Sequence, residues 1–370
     1  MNSTSDPQNH ILPELATTWR TFAAEAEKLG QIHPLQLESV YRNRLFNLFV
    51  PKTYGGLEVD LLEGLRKEEA MAWGDGSMGW TITLCAGANW FVGFFPPDAA
   101  REIFFDPAVC LAGSGKSSGV AKITDDGYQI TGNWKYATGA PHATIFTANC
   151  NLEKDGILLR SDSGDLLIRS FWFKRDEVAI NEDWDTIGMI ATASHSFSVD
   201  RLNVPNNRSF QIDRADCFLD HPVYKYPFVQ FAETTLAVNS SGMAVRFLDL
   251  CKEIFEQKRI NEKSEPKRRI VQEILMAAKA RIDGARSVFY SVVEKSWEDL
   301  LSHEYVSIDL LEKVSEVSRG LAKTARQTVD ELYPYCGMMA VKPQTEINRV
   351  WRNLHTASQH SLLLFSNMTA

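Results

Sequence analysis

Apolar residues recur at three- and four-residue intervals from about residue 11 to 105, in PELATTWRTFAAEAEKLGQ and PLQLESVYRNRLFNLF, which predicts several amphipathic helices. Between them VPKTYGGLEVD reads as a loop, because Pro51, Gly55 and Gly56 suit turns. The period then drops to two. VAKITDDGYQITGNWKYATG holds two alternating runs joined by Asp125-Asp126-Gly127, a hairpin signature. TIFTANC, GDLLIRSFWFKRDEVAI and HSFSVDRLNVP continue in the same style, and no helical pattern separates these strands. The pattern therefore predicts a largely antiparallel sheet, a barrel or a sandwich. From about 226 the helical period returns over roughly 228–258, 266–298, 306–335 and 344–366, joined by short polar linkers, as in an antiparallel bundle. The expected fold is α+β and multidomain: an N-terminal helical domain over 1–107, a central antiparallel β domain over 108–215 and a C-terminal four-helix bundle over 216–370.

Composition narrows the function classes. Of the 370 residues 44% are apolar and 23% charged, an ordinary globular balance. With 39 Lys and Arg against 47 Asp and Glu the net charge is −8, and the basic residues are scattered apart from Lys267, Arg268 and Arg269, which excludes nucleic acid as an expected partner. No apolar run reaches the roughly 18–20 residues of a membrane span, and the N-terminus lacks a basic segment followed by an apolar one. A cytoplasmic protein is expected. The six cysteines are far apart and form no CxxC or Cys/His pair, which suggests neither a metal site nor a disulfide framework.

CLAGSGKSSG imitates a phosphate-binding loop, with Gly115, Lys116 and Ser117 in its last three places. Cys110 stands where the first glycine belongs, and the following residues run into a hairpin instead of a helix whose N-terminus could face phosphates. The segment is expected to be a glycine-rich connection lining a pocket.

The three-part order and four motifs resemble the acyl-CoA dehydrogenase superfamily over essentially the whole chain. VPKTYGG (50–56) is similar to a loop after that family's first helices, and ITGNWKYATGA (130–140) to its flavin-contacting strand. IGMIATASHSFSVDRLNVP (187–205) is similar to the strand pair that follows, and INRVWRNLHTASQH (347–360) to the last bundle helix. The resemblance implies that Tyr136 and Thr138 meet the isoalloxazine ring, with Trp134, Thr192 and Arg352 as further cofactor contacts. Independently of the label, a flavin needs an aromatic wall and a few hydroxyl or backbone groups at its polar edge. Tyr136 and Thr138, two apart on a strand, share a face; the plain alternative is that they are ordinary strand residues.

Oxidation of an acyl thioester needs a carboxylate base, which most of the family carries just after an Arg-Asp pair of the last helix. The matching pair here is Arg352-Asn353, and no Asp or Glu follows Glu346. His355 and His360 stand there instead. That pattern resembles the two-component flavin monooxygenases of the same fold, which take reduced flavin, FAD or FMN, from a separate reductase and transfer one oxygen of O2 to an aromatic, sulfur or amine substrate. A neutral imidazole at His360 can accept a proton or make a hydrogen bond without adding a negative charge. Asn89 stands where that branch often has a histidine, and Ile190 where it often has an arginine. Trp90, His142 and His355 are the candidate substrate contacts, and no element matches the family's RxxFG diphosphate contact. Two alternatives remain open: a dehydrogenase with Glu233 on an earlier bundle helix as base, and a non-catalytic homologue. The stripe Leu354, Ala357, Ser361 and Leu364 on the last helix, together with the resemblance, implies a homotetramer or dimer.

Overall fold

The computed structural model describes residues 6–261 and 265–364. Helices α1 (Pro13–Leu29), α2 (Pro34–Arg42), α3 (Leu61–Gly74), α4 (Gly76–Asn89) and α5 (Pro97–Phe104) form the first part. Their ends follow local chemistry. α1 begins with Pro13 and stops at Gly30, which adopts a left-handed φ of 67°. Asp60 and Asp75 cap α3 and α4 by accepting from Glu63 N (2.8 Å) and Met78 N (3.0 Å).

Strands β1 (Leu111–Thr124), β2 (Gly127–Ala137), β3 (Ile145–Lys154), β4 (Ile157–Leu158), β5 (Ile168–Lys174), β6 (Ala179–Asn181), β7 (His195–Pro205) and β8 (Ser209–Phe210) form one sheet in the order β6-β7-β2-β1-β3-β5-β8, with β4 on β3. The Asp125-Asp126 turn joins β1 to β2 with Thr124 opposite Gly127. The sheet is largely antiparallel, as expected, and mixed at one described pairing: β3 runs parallel to β1, with Leu111 opposite Ile145. Parallel pairing arises because β2 carries the chain back to the starting end of β1, where residues 138–144 cross to its other edge before β3 begins. The covered face of the sheet buries Trp134, Phe146, Phe171, Phe173 and Phe197. Gly119 and Gly132 are small for this reason, since an added Cβ would lie 2.2 and 2.5 Å from the Trp134 ring.

The short α6 (Pro222–Lys225) leads into α7 (Phe228–Asn261), α8 (Glu265–His303), α9 (Ile308–Cys336), α10 (Met338–Val341), α11 (Glu346–Ala357) and α12 (Ser361–Leu364). The expected last helix over 344–366 is interrupted. α11 ends at Ala357, Ser358 and Gln359 turn, and His360 Nδ1 accepts from Leu362 N (3.3 Å) to start α12. Leu354 and Ala357 of the expected stripe are buried, whereas Ser361 and Leu364 are exposed. α7 and α8 are tied to α3 by a buried cluster: Glu69 accepts from Arg286 (2.7 and 2.9 Å), Tyr290 (2.9 Å) and Ser241. Among the described residues no helix is long and apolar enough to cross a membrane.

Candidate active site

A cavity of about 240 Å³ opens where α4, α7, the sheet and the α11–α12 turn meet. α4 contributes Thr83, Leu84 and Gly87; α7 contributes Phe228, Phe231 and Thr235. β1 supplies Ala112 to Gly115, so the glycine-rich segment lines the cavity as its sequence suggested. Tyr136, Thr138 and His360 complete the wall.

Each of these three is held by a distinct device. Tyr136 adopts φ 70°, a left-handed conformation that costs a non-glycine residue energy, and the β2–β7 register shifts between Trp134 and Ala137. The bulge leaves its ring 59% exposed on the cavity rim, edge-on to Trp184 at 6.1 Å. Thr138 is buried, and its hydroxyl begins a chain: Oγ1 to Ser194 Oγ is 2.8 Å, Ser194 Oγ to Thr192 Oγ1 is 2.8 Å, and Thr192 Oγ1 donates to the Met189 carbonyl at 2.8 Å. Thr192 thus stands behind Thr138 and not on the wall. His360 packs against the Trp80 ring at 6.1 Å, and burial pushes its pKa down to about 4, so the imidazole is neutral near pH 7.

The remaining candidates lie elsewhere. Asn89 is fully buried at the junction of α4 and β1, donating to Asn47 Oδ1 (2.6 Å) and accepting from Leu111 N (2.9 Å). It is a structural tie. Trp90 is buried in an aromatic cluster with Phe94, Phe228 and Phe231, donates to the Val223 carbonyl (3.1 Å), and borders a separate cavity beside α6. Trp134 belongs to the sheet core and donates to the Asn149 carbonyl (2.9 Å). Arg352 locks α11 to α1 and the 187 loop: Nε donates to Asn348 (2.8 Å), and the two Nη groups to Glu27 (2.9 and 2.9 Å), Ile187 O (2.7 Å) and Pro343 O (3.5 Å). All five of its donors are engaged, which removes it from the cofactor set. His355 pairs with Asp330 (2.8 Å) on the outer side of α11. His142 sits in the turn after Gly139, off the cavity wall, with Nε2 buried and without a partner among the described residues.

Glu233 is the largest displacement from expectation. Its carboxylate is buried between α7 and α9, where it accepts from Ser315 and pairs with Arg319 (3.0 Å). It does not line the cavity. Helix geometry explains why: Phe228, Phe231 and Thr235 share one face, and a residue two places after Phe231 points to the opposite side. Sequence reasoning missed Glu68, whose two buried oxygens have no hydrogen-bond partner among the described residues and whose pKa burial raises well above the usual carboxylate range. It lies beside Thr83, and the spacing Leu61, Leu65, Glu68, Ala72 on the buried stripe of α3 was the available signal.

A helical part, a mixed sheet and a long-helix part meeting at one cavity define the acyl-CoA dehydrogenase fold. Residues 234–365 match the family model described as acyl-CoA dehydrogenase, C-terminal domain. An indole-3-acetate monooxygenase of Pseudomonas putida is 26% identical over 325 residues, 86% of this chain and 80% of that protein. The oxygenase subunit HsaA of a flavin-dependent monooxygenase from Rhodococcus jostii is 25% identical over 367 residues, 95% of this chain and 93% of that one. The solved structure of XiaF from a Streptomyces species, in complex with FADH2 and glycerol, superposes with a TM-score of 0.80 at 21% identity, covering 95% of this chain and 91% of that one. The C-terminal part of the chain thus matches the acyl-CoA dehydrogenase C-terminal domain model, and over most of its length the chain is similar to flavin-dependent monooxygenase subunits.

The cavity suits a flavin ring on its own evidence. At Gly87 and Gly115 an added Cβ would meet nothing within 4 Å, so both glycines leave open space along the walls. Tyr136 offers an aromatic edge, and Ser114, Thr138 and Asn149 offer polar groups to the rim of a flat heterocycle.

Proposed function

We propose that this protein is the oxygenase component of a flavin-dependent monooxygenase that hydroxylates a small aromatic molecule. One observation carries the reading: the cavity presents neutral His360 and, among the described residues, no Asp or Glu, while the candidate dehydrogenase base Glu233 faces away. Bound reduced flavin, FAD or FMN, supplies two electrons with which O2 is split between product and water.

The chain's own residues bind, orient and exclude water. Phe91, Phe228 and Phe231 form an apolar wall for an aromatic ring, and Thr83 and Thr235 give its hydroxyl partners. With no Lys, Arg, Asp or Glu in the described lining, an uncharged substrate is favoured, because a buried ion without a counter-ion loses its hydration uncompensated. Because His360 Nδ1 accepts from Leu362 N, the ring hydrogen resides on Nε2, which serves as a hydrogen-bond donor. With a pKa near 4, His360 keeps this form down to about pH 5, so activity should not fall through its protonation between pH 8 and 5.

The reductase is a separate protein in this reading, which the oxygenase-subunit designation of HsaA supports. The described cysteines form no disulfide, and with the dependence on reduced flavin this supports a cytoplasmic location. A dimer or tetramer is supported by apolar side chains left exposed on α8 and α10.

The test supplies chemically reduced FAD or FMN, 18O2 and a phenol. Product carrying one labelled oxygen is expected, and His360→Ala should retain flavin binding while lowering product by about 10²–10⁴-fold. Reduction of oxidised flavin by an acyl thioester without O2 would instead establish a dehydrogenase.

A further inference from the structure

Three helices meet behind the Thr83 wall of the cavity, where Glu68 of α3, Thr83 of α4 and Asn239 of α7 are all buried. Their hydrogen bonds have a fixed sense. Asn239 Nδ2 lies 3.0 Å from the Thr235 carbonyl, which can only accept, so that end of the amide is its NH2 group. The same nitrogen is 2.8 Å from Thr83 Oγ1, so Thr83 accepts. The hydrogen of Thr83 itself remains to be placed. Thr81, Thr234 and Thr235 turn theirs back to the carbonyls of Ser77, Gln230 and Ala232. Thr83 makes no such bond among the described residues.

Glu68 lies beside that hydroxyl, with its two oxygens otherwise unpartnered and no cation paired with it among the described residues. Burial raises its pKa well above the usual carboxylate range, so near neutral pH it holds a proton. The second lone pair of Thr83 Oγ1 is the acceptor beside that O–H. The Thr83 hydrogen then turns away from Glu68, toward the cavity that Thr83 lines. We propose that Glu68 and Thr83 form a proton conduit into the cavity, in which the buried carboxyl holds the proton and the threonine hydroxyl passes it on.

The step balances without any change of oxidation state. The Thr83 hydrogen passes to a base in the cavity, the Glu68 proton forms the new O–H bond at Thr83 Oγ1, and Glu68 is left as the carboxylate. Water entering the emptied cavity returns the proton by the reverse path. The proposed hydroxylation has a use for it. With reduced flavin as the monoanion, substrate, O2, flavin and one proton give hydroxylated product, oxidised flavin and water. The described lining holds no Asp, Glu, Lys or Arg to provide that proton, and His360 is neutral. This use rests on the monooxygenase reading, whereas the conduit itself belongs to the apoprotein.

Infrared difference spectra of the apoprotein, transferred from H2O to D2O at pH 7, read the conduit without cofactor or turnover. A protonated-carboxyl band that is lost in Glu68→Gln should shift in D2O. Thr83→Val, of similar volume but without a proton to pass, should slow that shift by about tenfold or more, because exchange must then await a local opening. Thr83→Ser should restore the wild-type rate. No such band in wild type, a band that does not exchange, or equal rates in wild type and Thr83→Val would each overturn the conduit. With reduced FAD or FMN, O2 and a phenol, Glu68→Gln should lower product formation by about 10²-fold with reduced-flavin affinity unchanged. Adding Thr83→Val to it should cost no more, since both act in one path. Full product formation by Glu68→Gln would overturn delivery to the reaction. A wild type that forms no product, while its carboxyl band exchanges as expected, would overturn the monooxygenase reading and leave the conduit standing.

Discussion

A carboxyl group buried in a helical interface with at most one hydroxyl beside it is unfavourable in its charged form, because desolvation outweighs what a single hydrogen bond returns. Glu68 is in that position, beside the Thr83 hydroxyl, which accepts from Asn239 Nδ2 (2.8 Å), while the Asn239 Oδ1 is itself buried without a partner. Its folded-state pKa is raised, so below the unfolded carboxyl pKa of about 4.3 both states hold the proton and no penalty arises. As pH rises above that value the unfolded state ionises and the folded state does not, and stability falls. Glu68→Gln removes the titration. Urea unfolding should find this variant more stable than wild type by about 1–3 kcal/mol at pH 8, with the gain shrinking toward pH 5; a gain equal at both pH values would show that titration is not involved. At this scale the sequence was legible only where a side chain's role depends on its own strand or turn. Tyr136, Thr138 and His360 all line the cavity, whereas Asn89, Trp134 and Glu233 differ from them by which face of an element they occupy, a property set by packing partners distant in sequence.

Helix and strand existence was largely readable, because the period of the apolar pattern changes where the architecture changes, and the Asp125-Asp126 turn falls between β1 and β2. The parallel β1–β3 pairing was not readable, since nothing in a strand's pattern records which neighbour it meets. The break after α11 hid in helix-compatible residues, and only the Nδ1 contact of His360 reveals it. Arg352 shows the same limit. Its place in a family-like motif suggested a cofactor contact, but its partners are Glu27 of α1 and the 187 loop, so it fixes how the last helix seats on the first. Arg352→Met should therefore destabilise the protein by about 3 kcal/mol by leaving the Glu27 carboxylate largely buried and unpaired. Flavin affinity measured on the folded variant should be unchanged. A selective loss of affinity without a shift in the unfolding midpoint would return Arg352 to the cofactor site.

At the scale of the whole molecule, the cavity exists only because three parts meet. α4 brings one wall, β1 and β2 another, and α7 with His360 a third, so anything that shifts the long helices shifts the site. The outer face of α8 bears on this. Ile270 and Val288 are 51% and 55% exposed, and at eighteen residues apart they lie five turns along one face, with Ala277 and Gly284 between them also exposed. Met338, Met339 and Val341 on α10 are exposed as well. A second copy of the chain is the partner proposed for this surface, and a stable interface would have to cover at least about 1,000 Å² in total. Sedimentation at micromolar concentration should then report a dimer or tetramer. Placing carboxylates on the face, as Ile270→Glu with Val288→Glu, should shift it to smaller species while leaving the helical content intact, because neither side chain contributes to the internal core. A wild-type protein that sediments as a monomer, or a double variant with undiminished mass, would show that α8 faces solvent and that each chain completes its flavin site alone.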